Sequence, residues 1–191
     1  MASKGRKSLT PIEKLRWMVL ASLMAALTAV GAYLHVPLGP VPIVLTNLFV
    51  LLAGLILGSR WGLTSMGVYL MVGAIGMPVF AGGKGGVAYF LGPTGGYLLG
   101  FALAAWVVGL ISERCHGNFA WEVVAVLSGL ISIYGVGVPW LKVVTELSWS
   151  KTLMVGLVPF LAGDVAKASV ALVIARSVRP ILNRQLGSLP L

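Results

Sequence analysis

Long aliphatic runs broken by short polar or glycine-rich stretches set the pattern of this chain. Six apolar segments stand out, at 17–34, 43–58, 62–78, 95–112, 120–140 and 154–175. A helix rises about 1.5 Å per residue, so about 20 residues cross a hydrocarbon core of about 30 Å. The runs are continuous, without the apolar–polar alternation over about ten residues that marks an outer-membrane strand. In lipid the backbone must bond within itself, so the pattern predicts an all-α membrane protein with six transmembrane helices. The second and third segments are short and joined by a tight polar turn, Gly58-Ser-Arg-Trp-Gly62. Gly129, Gly135, Gly137 and Pro139 are expected to loosen or kink the fifth.

Composition agrees with the pattern. Charged residues are 10% of the chain and hydrophobic residues 58%, where a soluble domain carries about 25% charged residues. The division expected is a basic N-terminal segment over 1–16, a six-helix domain over 17–175 and a basic C-terminal tail over 176–191. The first apolar run is longer than a secretory signal core and lacks a cleavage site, so it reads as a retained helix.

The net charge of +9 gains meaning from where it lies. Lys4, Arg6, Lys7, Lys14, Arg16, Arg60, Arg114, Arg176, Arg179 and Arg184 fall on one side of a six-span layout. Only Lys84, Lys142 and Lys151 fall on the other. The positive-inside rule then places both termini in the cytoplasm and the chain in the cytoplasmic (inner) membrane as a multi-pass protein. The basic flanks suit anionic lipid headgroups; no soluble basic domain remains for nucleic acid. Trp17, Trp61 and Trp121 are expected at the inner interface, Trp140 and Trp149 at the outer one.

Two features carry candidate chemistry. Asp164, the only aspartate, and Lys167 lie inside the last apolar run. Each charge costs about 2.5–3.5 kcal/mol at mid-bilayer on insertion scales. Three residues apart on a helix they share a face and can touch. Such a pair either staples helices or marks a ligand or transport site, and the second is the commoner use of intramembrane charge. The other feature is the outer segment 76–96, between the third and fourth spans, with eight glycines in 21 residues. Its freedom to turn sharply, with Lys84, Phe80, Tyr89 and Phe90, suggests a lid. Small residues at four-residue spacing, among them Ala21, Ala25 and Ala29, allow close helix approach inside the bundle or with another subunit.

Enzyme signatures are missing. No G-x-x-x-x-G-K-S/T phosphate loop or H-E-x-x-H occurs, and His35 and His116 fall near opposite membrane faces. Cys115 is the only cysteine, so no internal disulfide forms. Glu13, Glu113, Glu122 and Glu146 fall near span ends, where solvated surface is expected. No cofactor is called for. A binding or transport subunit fits best.

Four stretches in order now matter together: GPVPIVLTNLFVLLAG at 39–54, GMPVFAGG at 76–83, LGPTGGYLLG at 91–100 and PFLAGDVAK at 159–167. With these the chain resembles the BioY family, the biotin-specific substrate-binding (S) subunits of energy-coupling-factor (ECF) transporters. The resemblance covers about residues 21–175. It implies six helices, high-affinity biotin binding near the outer face, a transmembrane coupling subunit as partner and two ATP-binding subunits that hydrolyse ATP. It also implies that Ala21, Ala25 and Ala29 form part of the partner-docking face. The loaded subunit would topple within the membrane and be reset by ATP hydrolysis in its partners.

Biotin combines an apolar bicycle, a ureido group with two N–H donors and one carbonyl acceptor, and an anionic tail. The expected site puts the rings among Phe80, Tyr89 and Tyr97 and the ureido group at Asp164 and Lys167. Thr46 and Asn47 would add neutral hydrogen bonds, and Lys84 would meet the carboxylate. The rival readings are an S subunit for another vitamin, a stand-alone proton-coupled carrier with Asp164 as relay, and, less favoured, an intramembrane enzyme.

Overall fold

A computed structural model describes residues 10–37, 40–114 and 117–186. Lys4, Arg6, Lys7, Cys115 and His116 lie outside the described residues. The first helix, α1 (Pro11–Tyr33), starts with a capping box in which Thr10 and Glu13 satisfy each other's backbone N–H groups. A short antiparallel ribbon follows, β1 (His35–Val36) against β2 (Ile43–Val44), with His35 opposite Val44. Then come α2 (Thr46–Ala74), the single-turn α3 (Ala88–Leu91), α4 (Gly95–Arg114), α5 (Phe119–Thr145), α6 (Trp149–Gly156) and α7 (Val158–Leu186). Five helical stretches are long and apolar enough to cross a membrane, the last taking in α6 and most of α7. The architecture is that of an all-α membrane protein, with the ribbon as a minor addition.

The second and third expected segments are the two arms of α2. At Gly58 the backbone takes φ 75° and ψ −175°, outside helical values. Such a positive φ is open to glycine and strained for other residues. The chain reverses there: a methyl group on Gly62 would stand 3.2 Å from the Ala53 carbonyl oxygen. Thr46 and Tyr69, near the two far ends of the arms, line one cavity. Every residue from 50 to 59 is buried. A helix apolar all round belongs at the centre of a bundle, and α1, α4 and α7 all pack on α2.

The break exposes backbone groups that an unbroken helix would satisfy within itself, and neighbouring side chains take them up. The Glu113 carboxylate accepts from Ser59 N–H at 2.5 Å and from the Ser59 hydroxyl at 2.8 Å. The Leu55 carbonyl accepts from Arg179 Nε at 2.9 Å and again from its Nη2. Arg179 is held in turn by Glu122 at 2.6 Å and by the Ser112 hydroxyl, while Arg176 Nε reaches the other Glu122 oxygen at 2.7 Å. Glu122 is 3% exposed. Glu113 and Glu122 are thus structural ligands of this junction, where solvated surface was expected. Their partners come from other helices, a pairing that no spacing along the chain reveals.

Other elements differ in detail from expectation. α5 runs unbroken through Gly135, Gly137 and Pro139 and ends at Glu146 in a left-handed conformation, φ 55°. The last segment is instead interrupted at Leu157, where φ −132° and ψ −58° separate α6 from α7 just before Pro159. α7 runs on to Leu186, so residues 176–186 of the expected basic tail are helical. Trp17 is buried and stacks on Trp61, ring centroids 6.5 Å apart, so two of the tryptophans expected at one interface meet each other.

Candidate functional site

Two adjoining cavities lie at the end of the bundle where the α2 arms, the ribbon and the glycine-rich segment meet. They share Pro42, Ala81, Tyr89 and Thr94 in their walls. The inner one is lined by aromatics, Tyr69, Tyr97, Phe101, Tyr134 and Phe160, together with Thr46 and Asn47. Among the described residues no charged side chain lines it. The outer one is ringed by prolines and holds His35 and Lys84.

Behind the inner cavity stands Asp164, 1% exposed. Lys167 Nζ donates to its Oδ1 at 2.7 Å. Asn47 Nδ2 donates to both carboxylate oxygens, at 3.1 and 3.2 Å, and the Tyr134 hydroxyl donates to Oδ2. One ionised carboxylate therefore gathers three donors from α2, α5 and α7, each a charge-assisted bond. Asp164 itself is not in the wall of either cavity; Asn47 and Tyr134 are.

That arrangement fixes what the wall offers a ligand. The Asn47 amide nitrogen faces Asp164, which leaves its Oδ1 as an acceptor. The Tyr134 proton is also committed to Asp164, which leaves the phenolic oxygen as an acceptor. Thr46 is 1% exposed and its hydroxyl has no partner, so it is a free donor. Asn47, Tyr134 and Thr46 thus supply two acceptors and one donor, the complement of a group with two N–H donors and one carbonyl; Tyr69, Tyr89 and Thr94 bring further hydroxyls to the same wall.

The remaining expected residues fall as follows. Tyr97 lines the inner cavity and donates its hydroxyl to the Gly156 carbonyl at 2.8 Å, next to the break between α6 and α7. Tyr89 lines both cavities. Phe80 is fully buried outside the cavity walls, stacked on Tyr89 at 5.1 Å and edge-on to Tyr69 and Phe90 at 5.5 Å. It anchors the glycine-rich turn, whose backbone pairs Phe80 with Lys84. That turn is further tied by the Tyr33 hydroxyl, which donates to the Pro78 carbonyl. Lys84 sits at the outer cavity, apart from Asp164 and Lys167.

The small residues expected for partner docking line neither cavity. Ala21 and Ala25 are 2% and 5% exposed and belong to the core, and Ala29 is half-buried against it. Helical periodicity sets them on the same inward face as Trp17, where small side chains let α1 pack inside its own chain. Sequence reasoning missed Tyr134 and Tyr69. A mid-span tyrosine is itself a signal, since a phenol buried in an apolar run needs a partner.

Residues 4–184 match the family model described as the BioY family. A biotin transporter BioY from Thermotoga maritima is 41% identical over 167 residues, covering 87% of this chain and 98% of that protein. A probable biotin transporter BioY from Pyrococcus horikoshii is 41% identical over 160 residues, covering 84% and 94%. The crystal structure of the S-component for biotin from an ECF-type ABC transporter superposes with a TM-score of 0.84 at 32% identity. It covers 91% of this chain and 95% of its own.

Proposed function

Since the chain belongs to the BioY family, we propose that it binds biotin and carries it into the cell as the S subunit of an ECF transporter. It is a multi-pass membrane transport subunit, not an enzyme. A transmembrane coupling subunit and two ATP-binding subunits supply the energy. In a six-span layout the ten-to-three bias of Lys and Arg supports both termini being cytoplasmic and the cavities opening outward from the cytoplasmic membrane.

The observation that carries this reading is the donor and acceptor pattern of the inner wall. The ureido N–H groups of biotin meet Asn47 Oδ1 and the Tyr134 oxygen, and its carbonyl accepts from Thr46. The bicycle lies among Tyr69, Tyr89, Tyr97, Phe101 and Phe160. The tail points to the outer cavity, where Lys84 meets the carboxylate. Asp164 and Lys167 act through Asn47 and Tyr134: an ionised, neutralised carboxylate keeps both groups turned as acceptors.

Calorimetric titration of the purified chain in detergent with biotin, thiamine and riboflavin tests the assignment. Biotin alone should bind tightly. Breaking a buried charge pair costs about 3–5 kcal/mol, so Asp164→Asn should weaken biotin by at least about a hundredfold. Lys84→Ala, at a solvated pair worth up to about 1 kcal/mol, should weaken it by no more than about fivefold. Near-normal affinity in Asp164→Asn, or tighter binding of another vitamin, would sink the site.

A further inference from the structure

We infer that His35 is a second contact for the anionic tail of the ligand and makes its capture pH-dependent. His35 is held in place by the ribbon, its backbone paired with Val44. It lines the outer cavity together with Lys84. Nδ1 lies 3.0 Å from the Tyr33 carbonyl oxygen. A carbonyl can only accept, so Nδ1 carries the hydrogen and the neutral ring has its lone pair on Nε2. Nε2 is turned toward the glycine-rich turn: a methyl group on Gly82 would stand 3.7 Å from it.

The charge state of the ring therefore reverses what Nε2 presents. In the neutral ring it is an acceptor, which repels a carboxylate oxygen. In the protonated ring it is a cationic donor, which forms a charge-assisted bond to the same oxygen. An imidazole makes this change between about pH 5 and 8, a range in which a free carboxylate stays ionised. The other titratable groups in the cavity wall, among the described residues, are Lys84 from the turn and Tyr89 from α3. Tyr33, before the ribbon, has its hydroxyl committed to Pro78, and Val44 opposite His35 carries no charge. No carboxylate lines this cavity among the described residues, so the outer mouth gains positive charge on acidification with no internal counter-ion. A ligand carboxylate supplies it.

This inference rests on the biotin reading with the tail outward, and the test separates the two. Binding of biotin and of biotinamide, whose tail is neutral, is measured on the purified chain at about pH 8 and about pH 5.5, either side of the imidazole range. A partly solvated pair is worth up to about 1 kcal/mol, so biotin should bind about three- to fivefold tighter at the lower pH. Biotinamide should show no such gain. His35→Ala and His35→Gln, uncharged throughout, should each bind biotin as the wild type does at the higher pH and lose the pH dependence. A flat wild-type profile, a slope that survives in both variants, or the same slope for biotinamide would overturn the role of His35. Absence of biotin binding at every pH would overturn the site reading and this inference with it.

Discussion

At the scale of single residues, the buried Asp164 carboxylate organises the site without lining it. Its three donors leave Asn47 and Tyr134 as acceptors, and beside them the buried Thr46 hydroxyl has no partner. Thr46→Val should therefore separate binding from stability. Losing one hydrogen bond to the ligand carbonyl costs about 1–1.5 kcal/mol, or about tenfold in biotin affinity by calorimetry. The ligand-free protein loses no bond, so its thermal unfolding midpoint in detergent should hold or rise. A fall in the midpoint as large as that of Asp164→Asn would show that Thr46 is structural. The Asp164–Lys167 contact was legible in the sequence because two charges at helical spacing in an apolar run can meet each other. Asn47 was legible only as a polar residue near a span end. Tyr134 was legible only as a mid-span phenol in need of a partner, because that partner lies 30 residues away on another helix.

At the scale of elements, the hairpin in α2 was readable from its turn residues. The sequence GSRWG at 58–62 interrupts two apolar runs, and Gly58 carries the positive φ that makes the reversal. A Cβ at that position would be strained by the backbone angle and would meet Glu113 Oε1 at 2.5 Å. Gly58→Ala should thus destabilise the bundle by about 1–3 kcal/mol. Chemical denaturation of the purified protein followed by tryptophan fluorescence is the measurement; an unchanged midpoint would mean that the turn relaxes freely. The end of α7 was not readable. Basic residues from Arg176 onward mark a membrane flank by charge alone, and charge says nothing about whether the helix stops. It continues because Arg176 and Arg179 find Glu122, and Arg179 finds the carbonyl freed by the break at Gly58. The inward face of Ala21 and Ala25 was likewise open until packing set the rotation of α1, since a stripe of small residues suits either side.

Across the whole molecule, α7 and the first arm of α2 are joined at two levels. Near one end Asp164 holds Asn47; near the other Arg179 holds the Leu55 carbonyl. Removing Arg179 leaves Glu122 with Arg176 as its remaining ion-pair partner and the freed carbonyl without its cap. Arg179→Met should cost about 3–5 kcal/mol of stability, read as a lowered unfolding midpoint. Saturating biotin should restore part of that loss, because a ligand that binds only the folded state stabilises it by mass action. No shift with biotin would count against a site built on this pair of helices. Two rods fastened at a single point can pivot, but fastened at two heights they form a truss. Neither sliding nor scissoring is open to this pair without breaking a buried polar contact at one end. The rear wall of the cavity is therefore braced as a frame. The mouth of the chamber is built instead from a two-residue ribbon and a glycine-rich turn.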